Sequence, residues 1–419
     1  MAQDKGTTKN KNGDCIITIE INESEYQKYI LDVKYARILI DNALKESPEL
    51  FPTSMTERYI FNGHTPISKK TKIKLRLIET GGINYRIYPH FMASYMRGKT
   101  SEISNALFLC RWAPYWALTE AFGRNDMYWY RCHNSLAAKS IVGSTIQKET
   151  SIPKEIIGDE HHSKQSRNKT YVATTVAKGC ILGAEVTNTC DEKGLVEAYG
   201  VFKKEALHLE TGYKPDSINL DGWKAGSKAW KNLFKNITII VCFLHGFIKI
   251  RDRALKRMKD VFQKISEKVW NCYKAENKRC FSQSIRRLKE WASENVPESP
   301  MKDNLIKLCD KNKQWQQYYD HPNAYRTSNM LDRLMGFMNR YLEKNQTFHG
   351  KTKDVSSSTI RAFALIYNFS PSCPDYKRKE EYKSPVGRLN NHEYHENWLA
   401  NLFIASSMNG NRQKPIKKL

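Results

Sequence analysis

Two short stretches in the middle of the chain, Ile156-Ile157-Gly158-Asp159-Glu160 and Ser217-Ile218-Asn219-Leu220-Asp221-Gly222, decide the fold. Each reads as a short apolar strand that ends in an acidic residue. The segments around them predict further strands and helices in alternation: strands at 171–176, 180–186 and 237–243, the last one buried on both faces, and helices at 195–209 and 223–234. Elements in this order predict a mixed α/β sheet.

The chain on the C-terminal side of this sheet divides by changes of pattern. Residues 249–319 carry long basic helices without a strand pattern, which predicts an all-α insertion. Residues 320–372 resume with two further helices, so the α/β core is predicted to comprise 149–248 and 320–372. The last segment, 373–419, is rich in Lys, Arg, Asn and Tyr and reads as a basic C-terminal tail.

The N-terminal side divides into three parts. Residues 1–13 offer little to bury and are expected to be disordered. Residues 14–99 mix helical and hairpin patterns, which predicts a small α+β module. Residues 100–148 predict three helices, and a Gly-containing turn between the last two gives the layout of a helix-turn-helix. A pair of helices whose aromatic residues pack into a core is the alternative.

The chain is strongly basic. Its 419 residues include 68 Lys and Arg against 44 Asp and Glu, a formal net charge of +24. Because this charge is spread along the chain and not gathered in one amphipathic helix, it predicts nucleic acid, and not a membrane surface, as the partner. The longest apolar stretch, 237–244, is too short to span a membrane, and the polar first residues do not read as a signal peptide, so we expect a cytoplasmic protein.

Basic and polar residues interleaved with aromatic ones mark candidate contacts to DNA phosphates and bases. In the predicted helix-turn-helix, on and just before the helix that would enter a major groove, these are Arg124, Asn125, Tyr128 and Arg131. In the core and at the start of the insertion they are Lys224, Lys228, Arg251 and Arg253. The alternative is the charged face that any helix of a soluble protein shows.

The ten cysteines include no C-x-x-C pair, which argues against a zinc knuckle or ribbon, and most are expected to be buried thiols. Cys242 and His245 are three residues apart, but a structural zinc needs four ligands and no partner pair is apparent. We expect His245 near a catalytic site, hydrogen-bonded to a carboxylate or a phosphate. A satisfied core histidine is the alternative.

Asp159 and Asp221 are the first candidates for catalysis, because an acid at the end of a strand lies at the sheet edge where ligands bind. Two carboxylates on neighbouring strands can share Mg²⁺ or Mn²⁺, and two such ions support phosphoryl transfer. Asp332 follows Ser328-Asn329 on a predicted helix with an apolar face, from which it can complete the metal site. Ordinary turn aspartates and a solvated Asp332–Arg333 face are the alternatives.

The order of these features resembles the DDE-type transposases of bacterial insertion sequences, over roughly residues 150–370. Gly158-Asp159-Glu160-His161 and the hairpin after it are similar to the first catalytic strand, and Asn219-Leu220-Asp221-Gly222-Trp223 to the second. Cys242-Phe243-Leu244-His245 resembles the C/D-x-x-H motif of Mutator-like transposases. Thr327-Ser328-Asn329 before Asp332 resembles the S-N-x-x-E helix that carries the third acid.

The resemblance implies an RNase H-like mixed sheet core, interrupted by the all-α insertion and preceded by the small β/helix-turn-helix region. It implies metal-dependent cleavage at transposon ends and transfer of the freed 3′-hydroxyl into target DNA. Two Mg²⁺ or Mn²⁺ ions would be held by Asp159, Asp221 and Asp332, with His245 close by. A homodimer that pairs two transposon ends in a synaptic complex is expected.

One residue departs from the family pattern, because Asp332 stands where Glu is usual. This implies a DDD triad, with Glu343 as the nearest substitute for the third acid, and leaves open an inactive copy. Two other functions remain as alternatives. One is a nuclease on the same core, which cuts but does not join. The other is a DNA-binding protein that descends from a transposase and has no catalytic activity.

Overall fold

The structure is a computed structural model that describes residues 14–69, 71–165, 168–255, 258–344, 348, 352–373 and 381–412. The segment predicted to be disordered, 1–13, lies outside the described residues, as does the end of the predicted tail after Arg412. Among the described residues no helix is long and apolar enough to cross a membrane.

Helices and strands alternate in the middle of the chain, from β7 to α9, and only helices follow β9 among the described residues. The strands are β1 (Ile16–Ile19), β2 (Ile60–His64), β3 (Arg76–Thr80), β4 (Ile83–Pro89), β5 (Glu155–Gln165), β6 (Asn168–Ala177), β7 (Cys180–Thr187), β8 (Ser217–Leu220) and β9 (Thr238–Val241). The helices are α1 (Tyr26–Leu31), α2 (Val33–Glu46), α3 (Thr100–Leu109), α4 (Tyr115–Phe122), α5 (Asp126–Ser135), α6 (Ile141–Thr145), α7 (Glu192–Leu209), α8 (Lys224–Leu233), α9 (Phe243–Arg251), α10 (Lys259–Tyr273), α11 (Lys278–Asn295), α12 (Pro300–Asp310), α13 (Asn312–Trp315), α14 (Asn329–Lys344), α15 (Lys353–Phe369), α16 (Pro385–Asn390) and α17 (Trp398–Ala405).

The central sheet has the strand order β7-β6-β5-β8-β9. β5, β6 and β7 form antiparallel hairpins, whereas β8 and β9 run parallel to β5. The turn between β6 and β7 is Lys178-Gly179, in which both residues have positive φ, as a two-residue hairpin requires. Helices α7 and α8 make the long connections that parallel strands need. The predicted mixed α/β sheet is thus confirmed.

Each face of the central sheet is covered by helices. Ile156 and Ile218 pack against α7 and α8 on one face. Ile157 and Val172 pack on the other face, in a core shared with α14 and α15. β9, which lies at the edge of the sheet, is shorter than the predicted strand at 237–243 and only half-buried at three of its four residues, so burial on both faces is not observed.

The N-terminal module has a second sheet, with the order β1-β4-β3-β2, in which β1 is parallel to β4. Helices α1 and α2 pack on it around a core that contains Ile17, Tyr29 and Ile78. Ile404 and Met408, from the far end of the sequence, belong to the same core. The C-terminal segment therefore packs on the N-terminal module.

The segment predicted as a basic tail is in large part a core element. Every residue from Leu399 to Gly410 is buried, the amide of Thr18 donates to Ser407 Oγ at 3.0 Å, and Arg412 donates to the carbonyl of Ile146 at 2.7 Å. The basic residues on either side of α17 suggested a solvated tail, although this helix itself is apolar. Residues 398–412 instead join the N-terminal module to the central core.

The predicted helix-turn-helix region also shares the central core. Trp129, Cys132 and His133 on α5 are buried, and His133 Nε2 lies 2.9 Å from the hydroxyl of Tyr341 on α14. The structure therefore shows no break at the predicted boundary between residues 148 and 149. For this face of α5 the alternative interpretation, aromatic residues packed in a core, is the one observed.

The predicted all-α insertion is helical. Helices α10 to α13 pack around a core that includes Ile265, Phe281 and Leu305, to which α9 contributes Phe243 and Ile250. The chain returns from it through Arg326, whose guanidinium lies 4.3 Å from the ring centre of Tyr273. The carbonyl of Arg326 accepts from the amide of Phe243 at 3.2 Å. These two contacts of Arg326 hold the chain in place just before α14 begins.

Candidate active site

The two strand acids come together where β5 and β8 run side by side. The last registered pair of these parallel strands is Ile157 opposite Asn219. Asp159 and Asp221 each lie two residues further along, and because side chains alternate between the faces of a strand, both belong to the same face. It is the face covered by α14, which carries Asp332.

Asp159 is not at the end of its strand, contrary to the prediction. β5 continues to Gln165 because it forms a long antiparallel hairpin with β6. On its other side, β8 already ends at Leu220. Asp159 therefore lies on the part of β5 that has lost its β8 neighbour, where a ligand can approach it beside Asp221.

Local hydrogen bonds orient both carboxylates. Asp159 Oδ1 accepts from the amide of Glu160 at 2.9 Å, and Asp221 Oδ1 accepts from the amide of Trp223 at 2.7 Å. The second contact forms a tight turn into α8 through Gly222, which has φ of 95°. A side chain at Gly222 would be strained by this φ and would place its Cβ 3.2 Å from Val241. The Asp-Gly pair thus fixes the position of the second acid.

The three acids lie close enough to influence one another. Burial raises the pKa of Asp159, and the carboxylates of Asp221 and Asp332 raise it further. The amide of Glu160 and the imidazole of His245 act in the opposite direction. Carboxylates that repel one another in a partly buried site are stabilised by a cation placed between them.

Ser328 connects the third acid to the C-x-x-H segment. Its hydroxyl donates to Asp332 at 3.3 Å from Oδ1 and 3.1 Å from Oδ2. The same oxygen lies 3.3 Å from Cys242 Sγ and 3.5 Å from His245 Nδ1, and the amide of Ser328 donates to Cys242 Sγ at 3.3 Å. The two motifs therefore form one cluster around the carboxylate of Asp332.

Cys242 and His245 are hydrogen-bonded to each other, and each shifts the pKa of the other. The hydrogen bond with Cys242 raises the pKa of His245 to about 9, against the effect of burial. Burial alone would raise the pKa of Cys242, but hydrogen bonds from His245 and Ser328 lower it overall. Cys242 is fully buried, and His245 lies near Asp159 and Asp332. The raised pKa favours the protonated form of His245, which lies close to Asp159 and Asp332.

The donor set suits a hard cation in chemical type. Asp159, Asp221 and Asp332 offer carboxylate oxygens, which Mg²⁺ and Mn²⁺ prefer, whereas the Cys242 thiol does not suit these ions. In the described part of the chain no three acidic, His or Cys side chains are arranged as a ready metal cage. The carboxylate of Asp332 is engaged by Ser328 in the arrangement seen.

Glu160 is an acid that sequence reasoning did not select. It lies on the opposite face of β5 from Asp159, buried between α7 and α8, and accepts from Tyr199 at 2.8 Å. Burial raises the pKa of Glu160 to about 7. A Cβ at Gly226 would come 3.1 Å from Glu160 Oε1, so this glycine makes room for it. Strand alternation next to Asp159 was the only sequence signal for this position.

The alternative third acid lies elsewhere. Glu343 is exposed near the end of α14, eleven residues after Asp332. A helix rises about 1.5 Å per residue, so the two lie roughly 16 Å apart along its axis. Asp332 is therefore the acid of α14 that the fold brings to the strand acids.

The residues predicted to contact DNA on α5 have different surroundings. Asn125 caps the helix, accepting from the amide of Tyr128 at 2.8 Å, so its side-chain oxygen is engaged. Tyr128 is half-buried, and the guanidinium of Arg124 lies 5.5 Å from its ring centre. Met127 and Arg131 are exposed one turn apart on α5, and Arg124 is exposed just before the helix, where its φ is 65°. The outer side of α5 is thus partly basic, while its inner side belongs to the core.

The other predicted DNA contacts lie on α8 and at the end of α9. Lys224 and Lys228 are exposed one turn apart at the start of α8, just after Asp221. Arg251 ends α9 and pairs with Asp252 at 3.0 Å, and Arg253 is exposed in the following turn. The pair on α8 is therefore the one nearest to the strand acids in sequence.

The sequence matches no protein-family model, and no curated protein matches it.

Proposed function

We propose that the chain is a DDD-type DNA transposase that cuts and joins strands with divalent metal ions at Asp159, Asp221 and Asp332. The observation that carries this proposal is the alignment of Asp159 with Asp221 on one sheet face, beneath the helix of Asp332. The three acids come from β5, from the turn after β8 and from α14, far apart in sequence, and the influence of Asp221 and Asp332 on the pKa of Asp159 supports their acting together.

The sheet topology supports an RNase H-like core. Such a core has three antiparallel strands followed by two parallel ones reached through helices, and β5 to β9 follow this order. The resemblance implies that the first acid lies on the first strand of the core and the second acid at the end of its fourth strand. The insertion α10–α13 leaves this core after β9 and returns just before α14.

Mg²⁺ or Mn²⁺, two ions in the proposed enzyme, would activate the attacking oxygen and stabilise the leaving oxygen of an in-line displacement. The protein would supply the carboxylates that hold these ions. Gly222 and the amide of Trp223 hold Asp221 in a fixed turn. Ser328 orients Asp332, and a group that orients a ligand in this way typically contributes about 10–100-fold to metal affinity or activity.

His245 adds a positive charge near the acids, suited to the negative charge of a phosphodiester. The net charge of +24 and the exposed lysines Lys224 and Lys228 favour DNA as the substrate. Pairing of two DNA ends by two copies of the chain follows from the resemblance and belongs to the same proposal.

The test is a strand-transfer assay with pre-nicked and intact DNA ends. Asp159→Asn and Asp221→Asn should abolish both cleavage and joining while DNA affinity stays within a few fold. Asp216→Asn is the matched control, because Asp216 is an exposed acid that precedes the opposite end of β8. Joined products from either active-site variant would refute the proposal.

The same assay separates the two alternatives. A nuclease on this core would cut intact DNA in Mg²⁺ and give no joined product from pre-nicked ends. A non-catalytic DNA-binding protein would bind DNA and give neither product in Mg²⁺ or Mn²⁺.

A further inference from the structure

A cavity of about 360 Å³ opens beside Asp221, between the core and the helical insertion. One side is formed by the end of β9 and by α9, and the other by α12 and the residues that follow it. Asp221 therefore faces two different spaces: the open strand edge next to Asp159 and this cavity. The insertion thus reaches the active site, although its helices form a separate core.

Three lysines line the cavity: Lys249 from α9, and Lys307 and Lys311 from the end of α12 and its C-cap. All three are exposed, and none has an acidic partner among the residues that the structure describes. Asp310, which also lines the cavity, is paired with Lys289 at 2.6 Å. The cavity therefore carries an excess of positive charge next to the second catalytic acid.

The wall that carries these lysines is closely packed. A Cβ added to Gly246 would lie 3.2 Å from Leu308 and 3.4 Å from Trp315, so α9 and α12 approach closely at this glycine. Asn304 donates to the carbonyl of Lys249 at 2.8 Å, and Trp315 Nε1 donates to the carbonyl of Leu308 at 2.9 Å. The backbones that carry the lysines are thus fixed relative to one another and to Asp221.

We infer that this cavity holds the phosphodiester backbone of the DNA strand that is cut, with Lys249, Lys307 and Lys311 neutralising phosphates next to the reacting one. Lysines recognise phosphates as point charges and read no base sequence, so the site would position the strand without selecting it. The inference rests on the proposed function. It gives the helical insertion a direct part in holding the strand, through Lys307 and Lys311.

The test compares two triple variants of the full chain in binding to a DNA duplex, with Ca²⁺ in place of Mg²⁺ to prevent turnover. One variant replaces Lys249, Lys307 and Lys311 by Ala. The control replaces Lys193, Lys204 and Lys214, which are exposed on and after α7 and do not line the cavity. Both variants lose the same formal charge, so a general effect of net charge cancels in the comparison.

The cavity variant should bind DNA at least about tenfold more weakly than the control at low salt. Each lost phosphate contact lowers the slope of log affinity against log salt by about 0.9, so this slope should fall by roughly two to three. Replacing the same three lysines by Arg should restore both the affinity and the slope. Equal losses in the cavity and control variants, or no loss in either, would overturn the inference.

The binding readout separates this inference from the proposed enzyme. Wild-type protein that cuts and joins DNA, together with a cavity variant that binds like the control, would overturn the lysine site alone. Wild-type protein that binds through the cavity but neither cuts nor joins would overturn the enzyme and support the lysine site. Wild-type protein without affinity for DNA would overturn both.

Discussion

The hydroxyl of Ser328 donates to the carboxylate of Asp332 one helical turn further along α14, at 3.1 Å from Oδ2. Because the same hydroxyl also contacts Cys242 and His245, it fixes the third acid relative to the sheet. Ser328→Ala should therefore weaken Mn²⁺ binding by about 10–100-fold, with a similar loss of cleavage. Isothermal titration with Mn²⁺ measures the affinity without turnover.

Ser356→Ala is the control for this substitution. Ser356 is also buried on a helix, and its hydroxyl donates to the carbonyl of Thr352 at 2.9 Å. It is not part of the cluster at Asp332, so its removal should leave Mn²⁺ affinity unchanged. Equal affinities in the two alanine variants would show that Ser328 has no part in placing Asp332.

Substitutions of Asp332 itself test the identity of the third acid. Asp332→Ala should remove cleavage and joining, whereas Asp332→Glu should keep part of the activity, because a carboxylate one methylene longer can still reach the ion. Turnover of a labelled DNA end measures both. Full activity in Asp332→Ala would remove this residue from the site and leave a two-acid centre.

Gly143 tests the attachment of the C-terminal segment. A Cβ at this position would lie 2.0 Å from the carbonyl oxygen of Gly410, and both backbones would have to move. Gly143→Ala should therefore lower the free energy of unfolding by about 3 kcal/mol. Urea denaturation followed by tryptophan fluorescence measures the loss.

Gly200→Ala is the matched change in an open position. Gly200 lies within α7, and an added Cβ there meets only Leu233, at 3.9 Å. Alanine is favoured over glycine in a helix by up to about 1 kcal/mol, so this variant should be as stable as the wild type or slightly more stable. A Gly143→Ala variant of equal stability would mean that residues 398–412 do not pack as described.

His90 gives a pH dependence to stability. Burial and the neighbouring His395 ring lower the pKa of His90 from its ordinary 6.5 to about 4, and its Nδ1 accepts from the amide of Ile21 at 3.2 Å. The unfolded chain therefore takes up this proton more readily, so stability is full above pH 6.5 and falls as the pH approaches 4. After allowance for solvent screening, the loss should be about 2 kcal/mol.

His90→Asn keeps an acceptor near Nδ1 and removes the titration. The difference in unfolding free energy between pH 7 and pH 4.5, measured by urea denaturation, should be smaller in this variant than in the wild type. Other groups titrate in the same range, but they contribute equally to both proteins. An identical pH dependence in the two would show that His90 is not the group responsible.

Much of the central sheet could be predicted from periodicity. β6 and β7 are largely apolar, almost continuously buried runs joined by a Lys-Gly turn, and α7 has an apolar face, so these elements lie close to where the sequence placed them. The hydrogen bonds between Ser328 and the C-x-x-H segment were not predictable in the same way. They depend on Arg326, which brings the chain back after a long insertion.

The errors arose where a local signal conflicted with a distant contact. Asp159 looked like a strand end because apolar residues stop there, but pairing with β6 extends β5 through polar residues to Gln165. The aromatic helix α5 looked free to read DNA, yet α14 and α15 cover Trp129 and His133. Neither partner can be recognised from the residues next to these positions.

The hydrogen bond from Thr18 to Ser407 joins residues 389 positions apart. During translation, β1 leaves the ribosome long before α17 is made. Part of the core of the N-terminal sheet therefore stays exposed to solvent until then. The central core also stays incomplete until then, because α17 contributes Leu399 and Phe403 to it. Either core can close only after α17 and the residues that follow it have been made, and a product that ends before α17 would expose apolar surface to chaperones and proteases.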